Sequence, residues 1–372
     1  PSLEQKAQLL ISDLKDQGFE VAQGYFKLWR AEDCYYTYER MGSCFGNNPA
    51  APYVTFAVPP WPEEFVDPVT SNLWGPSKPG YIDVFRFDPR EAIVILGQMP
   101  PPAASFSEQT YLFSRKRHFD KKSDTYKAVK EELPYFLPFF FSKVPGNPDR
   151  IEAFATLSNP INNVVIENQS GTVFDEARNF IITPDQYMDQ AVREAFARIS
   201  IKTEDVFTEQ IPSDMEVGLD RSSDDFATFF RYAQPADGGE AGTDSDAWRN
   251  ELPMFVLRVR DARSSRETVR YPAFGFADLE ERTANDEWQF EDDLGRLLAA
   301  VSQRWKQPCA NIDCSDRTEA FINLQTAPAN LVGPLCNQIG EAPIQLCPVD
   351  VLLLEQARPV GGERLFPHID QG

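Results

Sequence analysis

Eight prolines (Pro49, Pro52, Pro59, Pro60, Pro62, Pro68, Pro76 and Pro79) crowd the stretch 42–80. Each fixes φ near −65° and removes a backbone donor, so this stretch excludes long helices and central strands. It reads as an ordered wrap laid over a core. Pro100-Pro101-Pro102, Pro134 and Pro138 punctuate the chain again further on. A chain interrupted this often must be assembled from short elements.

Those elements are legible between the breaks. Ser2 caps a helix, with Gln5 as its capping-box partner; Leu3, Ala7, Leu10 and Leu14 form the apolar stripe and Gly18 the stop. Tyr35–Tyr38 is a β-like run. Strands are expected at Tyr81–Phe87, Ala92–Met99 and Gln109–Phe113, with a short helix from about Asp124. Further strands are expected at Arg150–Leu157, Asn162–Glu167 and Phe180–Ile182. Thr183-Pro184 opens a helix whose face is Tyr187, Ala191, Ala195 and Ile199, and Val206–Ile211 follows as a strand. Phe226, Phe229, Phe230 and Ala233, at i, i+3, i+4 and i+7, predict another helix. Residues 236–247 read as an exposed loop and Pro253–Arg260 as a strand. A long amphipathic helix is expected from Asp286 to Trp305.

The expected fold is therefore mixed α/β or α+β. It has an antiparallel-rich sheet in the N-terminal half, a strand–helix–strand unit in the middle and a disulfide-stapled, irregular C-terminal tail. With 372 residues there is room for two or three domains at ~150 residues each. The boundaries fall at 1–147 (β-rich, with the wrap), 148–306 (α/β) and 307–372 (cysteine-containing tail).

Six cysteines lie at the two ends: Cys34, Cys44, Cys309, Cys314, Cys336 and Cys347. No CxxC pair occurs and the chain has 2 histidines, so zinc spacing is missing. The cysteines read as disulfides, with local pairing the simplest of their connectivities. A sequon at Asn168-Gln169-Ser170 and a start at Pro1 without a methionine agree with a secreted or lumenal glycoprotein whose signal peptide has been removed.

The formal charge is −21, which argues against a nucleic-acid partner. Residues 203–300 carry 23 acidic and 10 arginine side chains, a solvated acidic face. No apolar stretch reaches the ~20 residues of a transmembrane segment. Residues 115–130 are locally basic, with Arg115, Lys116, Arg117, Lys121, Lys122, Lys127 and Lys130.

No G-x-G-x-x-G, P-loop, HExxH or G-x-S-x-G occurs. No cofactor and no metal are expected. Asp237–Asp246 offers oxygen ligands at short spacing but departs from the EF-hand pattern, so a solvent loop is the simpler reading than a calcium site. Gly42-Ser43-Cys44-Phe45-Gly46 resembles a nucleophile elbow, but turn residues follow it where a helix should start, and a Cys34–Cys44 bond would silence the thiol. His118, amid cations that favour its neutral form, is the histidine suited to general acid/base work, with Glu108 or Asp120 as its carboxylate. The string Leu133–Phe141 supplies Tyr135, Phe136, Phe139 and Phe140 as candidates to line an apolar pocket. Asp224-Asp225, adjacent acids, read as helix N-terminal residues. The leading expectation is a cofactor-independent hydrolase or lyase acting on a small or amphiphilic organic substrate. The rival is a non-catalytic secreted binding or cell-surface protein. No motif speaks to oligomeric state.

Overall fold

The computed structural model describes residues 1–42, 44, 52–118, 120–122, 124–132, 143–157, 160–262, 266–273, 296, 319–323 and 352–356. Two packed sheets organise the molecule. The first has the order β1-β11-β4-β8-β9, built from β1 (Glu20–Gln23), β4 (Glu91–Gln98), β8 (Ala177–Thr183), β9 (Val206–Gln210) and β11 (Met254–Arg260). The second has the order β2-β3-β10-β5-β6, from β2 (Tyr25–Trp29), β3 (Tyr53–Ala57), β5 (Ala103–Lys116), β6 (Arg150–Thr156) and β10 (Asp225–Pro235). The short β7 (Ile161–Asn162) also pairs with β5. All these pairings are antiparallel except β8 with β9. The chain is thus α+β and rich in antiparallel sheet, as its sequence indicated. Both sheets draw strands from either side of residue 147, so residues 1–147 and 148–262 share one pair of sheets.

Three apolar clusters fill the layers. Phe56, Phe85, Ile95, Phe106, Phe180, Phe207 and Phe230 pack between the sheets. On the outer face of the first sheet lie α1 (Leu3–Asp16) and α5 (Gln186–Arg198), joined to it through Leu10, Leu14, Val192, Phe196, Val94 and Leu257. The outer face of the second sheet carries Trp29, Trp74, Phe113 and Phe229. Burying each such side chain is worth ~1.5–3 kcal/mol.

Helix α1 has the capping box read from its sequence: Gln5 N donates to Ser2 Oγ at 3.2 Å and Ser2 N to Gln5 Oε1 at 2.8 Å. The expected strand–helix–strand unit is β8-α5-β9, its two strands parallel. Its helix starts later than Thr183 implies. Asp185 is the N-cap, while Thr183 Oγ donates to Glu91 O at 2.6 Å.

Other readings are corrected. Residues 35–38 belong to a helix, α2 (Cys34–Met41), which Gly42 closes at φ 70°. Asn162–Glu167 is largely helical: Asn162 Oδ1 accepts from Val165 N and starts α4 (Asn163–Ser170). The expected helix at 222–233 is strand β10. It is buried on both faces, with Phe226 and Phe230 inside the sandwich and Ala227 and Phe229 outside, so alternation disappears and apolar residues fall at helical spacing. Within the proline-rich wrap, β3 is a central strand because its five residues fit between Pro52 and Pro59. Tyr81–Phe87 forms isolated bridges, Val58 to Ile82 and Phe85 to Phe226, in place of a strand. In 236–247 the loop ends early. Asp237 accepts from Ser245 N and Oγ, Thr243 caps the chain, and α6 (Asp244–Glu251) begins.

Cys34 and Cys44 are joined, their Cα atoms 5.4 Å apart. Helix α3 (Asp124–Glu132) follows β5. The tail, expected to be irregular, contains an antiparallel pair, β12 (Glu319–Asn323) and β13 (Leu352–Gln356). Cys309, Cys314, Cys336 and Cys347 lie outside the described residues, as does the helix expected at 286–305 apart from Arg296. No helix among the described residues is long and apolar enough to cross a membrane.

Candidate functional site

The last residues of β5 and the first of β6 form one end of the second sheet. Lys116 pairs in register with Arg150, and Ser114 with Glu152. Arg150 is buried by its neighbours. Its Nε donates to Ser114 Oγ at 2.9 Å, its Nη2 to Ser114 O at 2.8 Å and its Nη1 to Arg221 O at 3.0 Å. Asp225 Oδ2 lies 3.5 Å from Arg150 and 3.7 Å from Arg86. The neighbouring Asp224 grips Arg115 through both oxygens, at 2.8 and 2.6 Å. Asp224 and Asp225 are therefore not helix N-terminal acids. They open strand β10 from inside the protein, each held to an arginine, and burial raises the Asp224 carboxyl although Arg115 opposes it.

This buried scaffold floors a cleft of about 440 Å³ lined by Lys116, Asn147, Asp149, Arg150, Asp220, Arg221 and Ser222. Asn147 is fixed by its amide, which donates to Asp67 Oδ2 at 3.0 Å. On the rim, Asp220 accepts from Ser222 N at 2.7 Å and Oγ at 2.5 Å, bonds that hold its carboxyl below the usual range. The Arg221 guanidinium lies 5.6 Å from the Phe65 ring centre. A larger depression beside α1, lined by Pro1, Glu4, Gln5, Gln8 and Leu9, is shallow and has Glu4 as its one charged side chain.

His118 is 67% exposed, with Nε2 3.6 Å from Oδ1 of Asp149, a residue of the cleft lining. Asp120 is exposed and accepts from Lys122 N at 2.9 Å within its own turn. Glu108 is eight residues before Lys116 on β5, roughly 26 Å away at ~3.3 Å per residue. It is fully buried between the sheets, facing Glu209 of β9. The structure thus separates His118 from Glu108 and gives it Asp149, a residue the sequence did not single out. Glu152 was also missed. Two residues beyond Arg150, its carboxyl is pushed up to about 7 by burial alone.

Of the basic run, Arg115 is buried, Arg117 pairs with Glu216 and Lys127 with Asp124. Tyr135, Phe136, Phe139 and Phe140 lie outside the described residues. Asn168 is exposed on α4. Cys44 is bonded to Cys34, so the Gly42–Gly46 motif holds no thiolate. Among the described residues no group of three or more His, Cys, Asp or Glu side chains is arranged to hold a metal ion. Comparison with known protein families, curated proteins and solved structures returns no match.

Proposed function

We propose that the protein is a secreted or lumenal binding protein for a small or amphiphilic organic ligand, held by an anionic group at the Lys116–Arg221 cleft. One observation carries the reading: in a chain of net charge −21, exposed Lys116 and Arg221 and the immobilised Arg150 outnumber Asp149 and Asp220 around one polar cleft. Such cations attract carboxylate or phosphate and gain from a pre-organised support. The Cys34–Cys44 bond supports an oxidising compartment. Decanoate and inorganic phosphate serve as anionic probes and decyltrimethylammonium as the cationic control, with binding read by calorimetry. Both anions are expected to bind in preference to the cation, and Lys116→Ala/Arg221→Ala to weaken them by about tenfold or more, some 1.4 kcal/mol. Equal binding of anion and cation, or an unchanged double variant, overturns the reading.

The His118–Asp149 contact favours a second reading, a cofactor-independent hydrolase or lyase in which Asp149 orients His118 as the acid/base group. Ester turnover by the protein, reduced ~100-fold in His118→Ala with an unchanged melting temperature, supports it. Turnover indifferent to that substitution removes it.

A further inference from the structure

Glu108 and Glu209 come from different sheets and meet in the apolar interior. Glu108 is 0% and Glu209 2% exposed. Thr110 N donates to Glu209 Oε1 at 2.9 Å, whereas neither oxygen of Glu108 has a donor when both groups are ionised. A single proton placed between the carboxyl groups supplies the missing hydrogen bond and removes one of two buried like charges.

Among the described residues the surroundings offer no other remedy. Opposite Glu108, β10 presents Phe230 and β7 presents Ile161. The neighbouring Thr110 hydroxyl is shared with that of Thr228, at 2.9 Å. Tyr111, on the other face of β5 with Tyr53 and Arg231 beyond it, is the remaining titratable side chain that feels both carboxyl groups. Among the described residues no cation forms an ion pair with Glu108. Strand β9 sits at the edge of the first sheet, where β8 is its one strand partner among the described residues, and Arg193, Asp189 and Gln169 bond to its Val206 and Thr208 from the helix side. Edge elements open at low cost.

We propose that Glu108 and Glu209 form a proton-operated clasp between the two sheets, closed by one shared proton and released at β9 when that proton leaves. The direction follows from burial and mutual repulsion, which raise the Glu108 carboxyl well above the ordinary 4.5. A raised folded-state value means stability fully present below 4.5 and lost as pH rises through that higher value. The clasp holds in acid and loosens towards alkali.

Hydrogen exchange of residues 206–210, corrected for the intrinsic pH dependence, is measured from pH 5 to 9 in the wild type and in Glu108→Gln. The amide of the glutamine donates to Glu209 at every pH. Wild-type protection is expected to fall about tenfold or more with rising pH, and the variant to stay flat. Equal profiles, or a flat wild type, overturn the proposal. Should Glu108→Gln not fold, infrared spectroscopy of Glu152→Gln, which removes the other carboxyl held near 7, decides. A protonated-carboxyl band persisting above pH 6 in that variant, and vanishing together with β9 protection, supports the clasp, and its absence refutes it.

Discussion

At the scale of single residues, the interior is organised by arginines as much as by apolar side chains. Arg258 is fully buried and donates to Glu91 at 2.5 and 3.0 Å, to Glu64 at 2.6 Å, and to the carbonyls of Pro59 and Arg86. A buried charge survives only when satisfied in this way. None of it is legible from sequence, because Glu64 and Arg258 are 194 positions apart. Among the described residues Glu152 has no such partner, and burial alone holds its carboxyl near 7. With that raised value it contributes stability below 4.5 that is lost as pH rises to about 7. Glu152→Gln should therefore match the wild type at pH 4 and exceed it at pH 8 by about 1–3 kcal/mol, partial exposure screening some of the cost. Urea unfolding at the two pH values checks this, and an equal difference at both would contradict it. His118, legible as the unusual histidine, did reach a carboxylate, but Asp149 came from a turn that no spacing rule connects to it.

At the scale of elements, the capping box of α1 and the β8-α5-β9 unit were readable because their determinants are local: a cap, a stripe and a stop within one segment. β10 was not, since burial on both faces erases the period that distinguishes strand from helix. Gly24 shows how a local element serves the whole. It separates β1, which pairs with β11 of the first sheet, from β2, which pairs with β3 of the second. A Cβ there would stand 2.5 Å from Ala57 O and 2.9 Å from Val256 Cγ1, so both sheets close in on this one residue. Gly24→Ala is expected to cost about 1–3 kcal/mol, in the range of overpacked cores. A melting temperature within a degree of wild type would show that the crossing has slack.

At the scale of the whole molecule, a chain of charge −21 holds together through a shared interior and one covalent staple among the described residues. The Cys34–Cys44 bond closes a loop of separation 10, which restricts the unfolded chain and stabilises the fold by roughly 2–3 kcal/mol. Cys34→Ser/Cys44→Ser should lower the melting temperature by about 3–4 °C, and reductant should lower the wild type by about that much more than it lowers the variant. A wild type indifferent to reductant would mean that the bond carries no stability. The amino-acid sequence by itself determined the α+β class, the capping box of α1 and the expectation of disulfides, because propensity, periodicity and composition act over a few neighbouring residues. Tertiary structure alone decided which strands share a sheet, that Glu108 meets Glu209 in place of His118, and that arginines and aspartates from distant segments gather at the β5–β6 end. Those outcomes depend on burial and on charges brought together from distant positions, quantities that exist only once the chain has closed on itself.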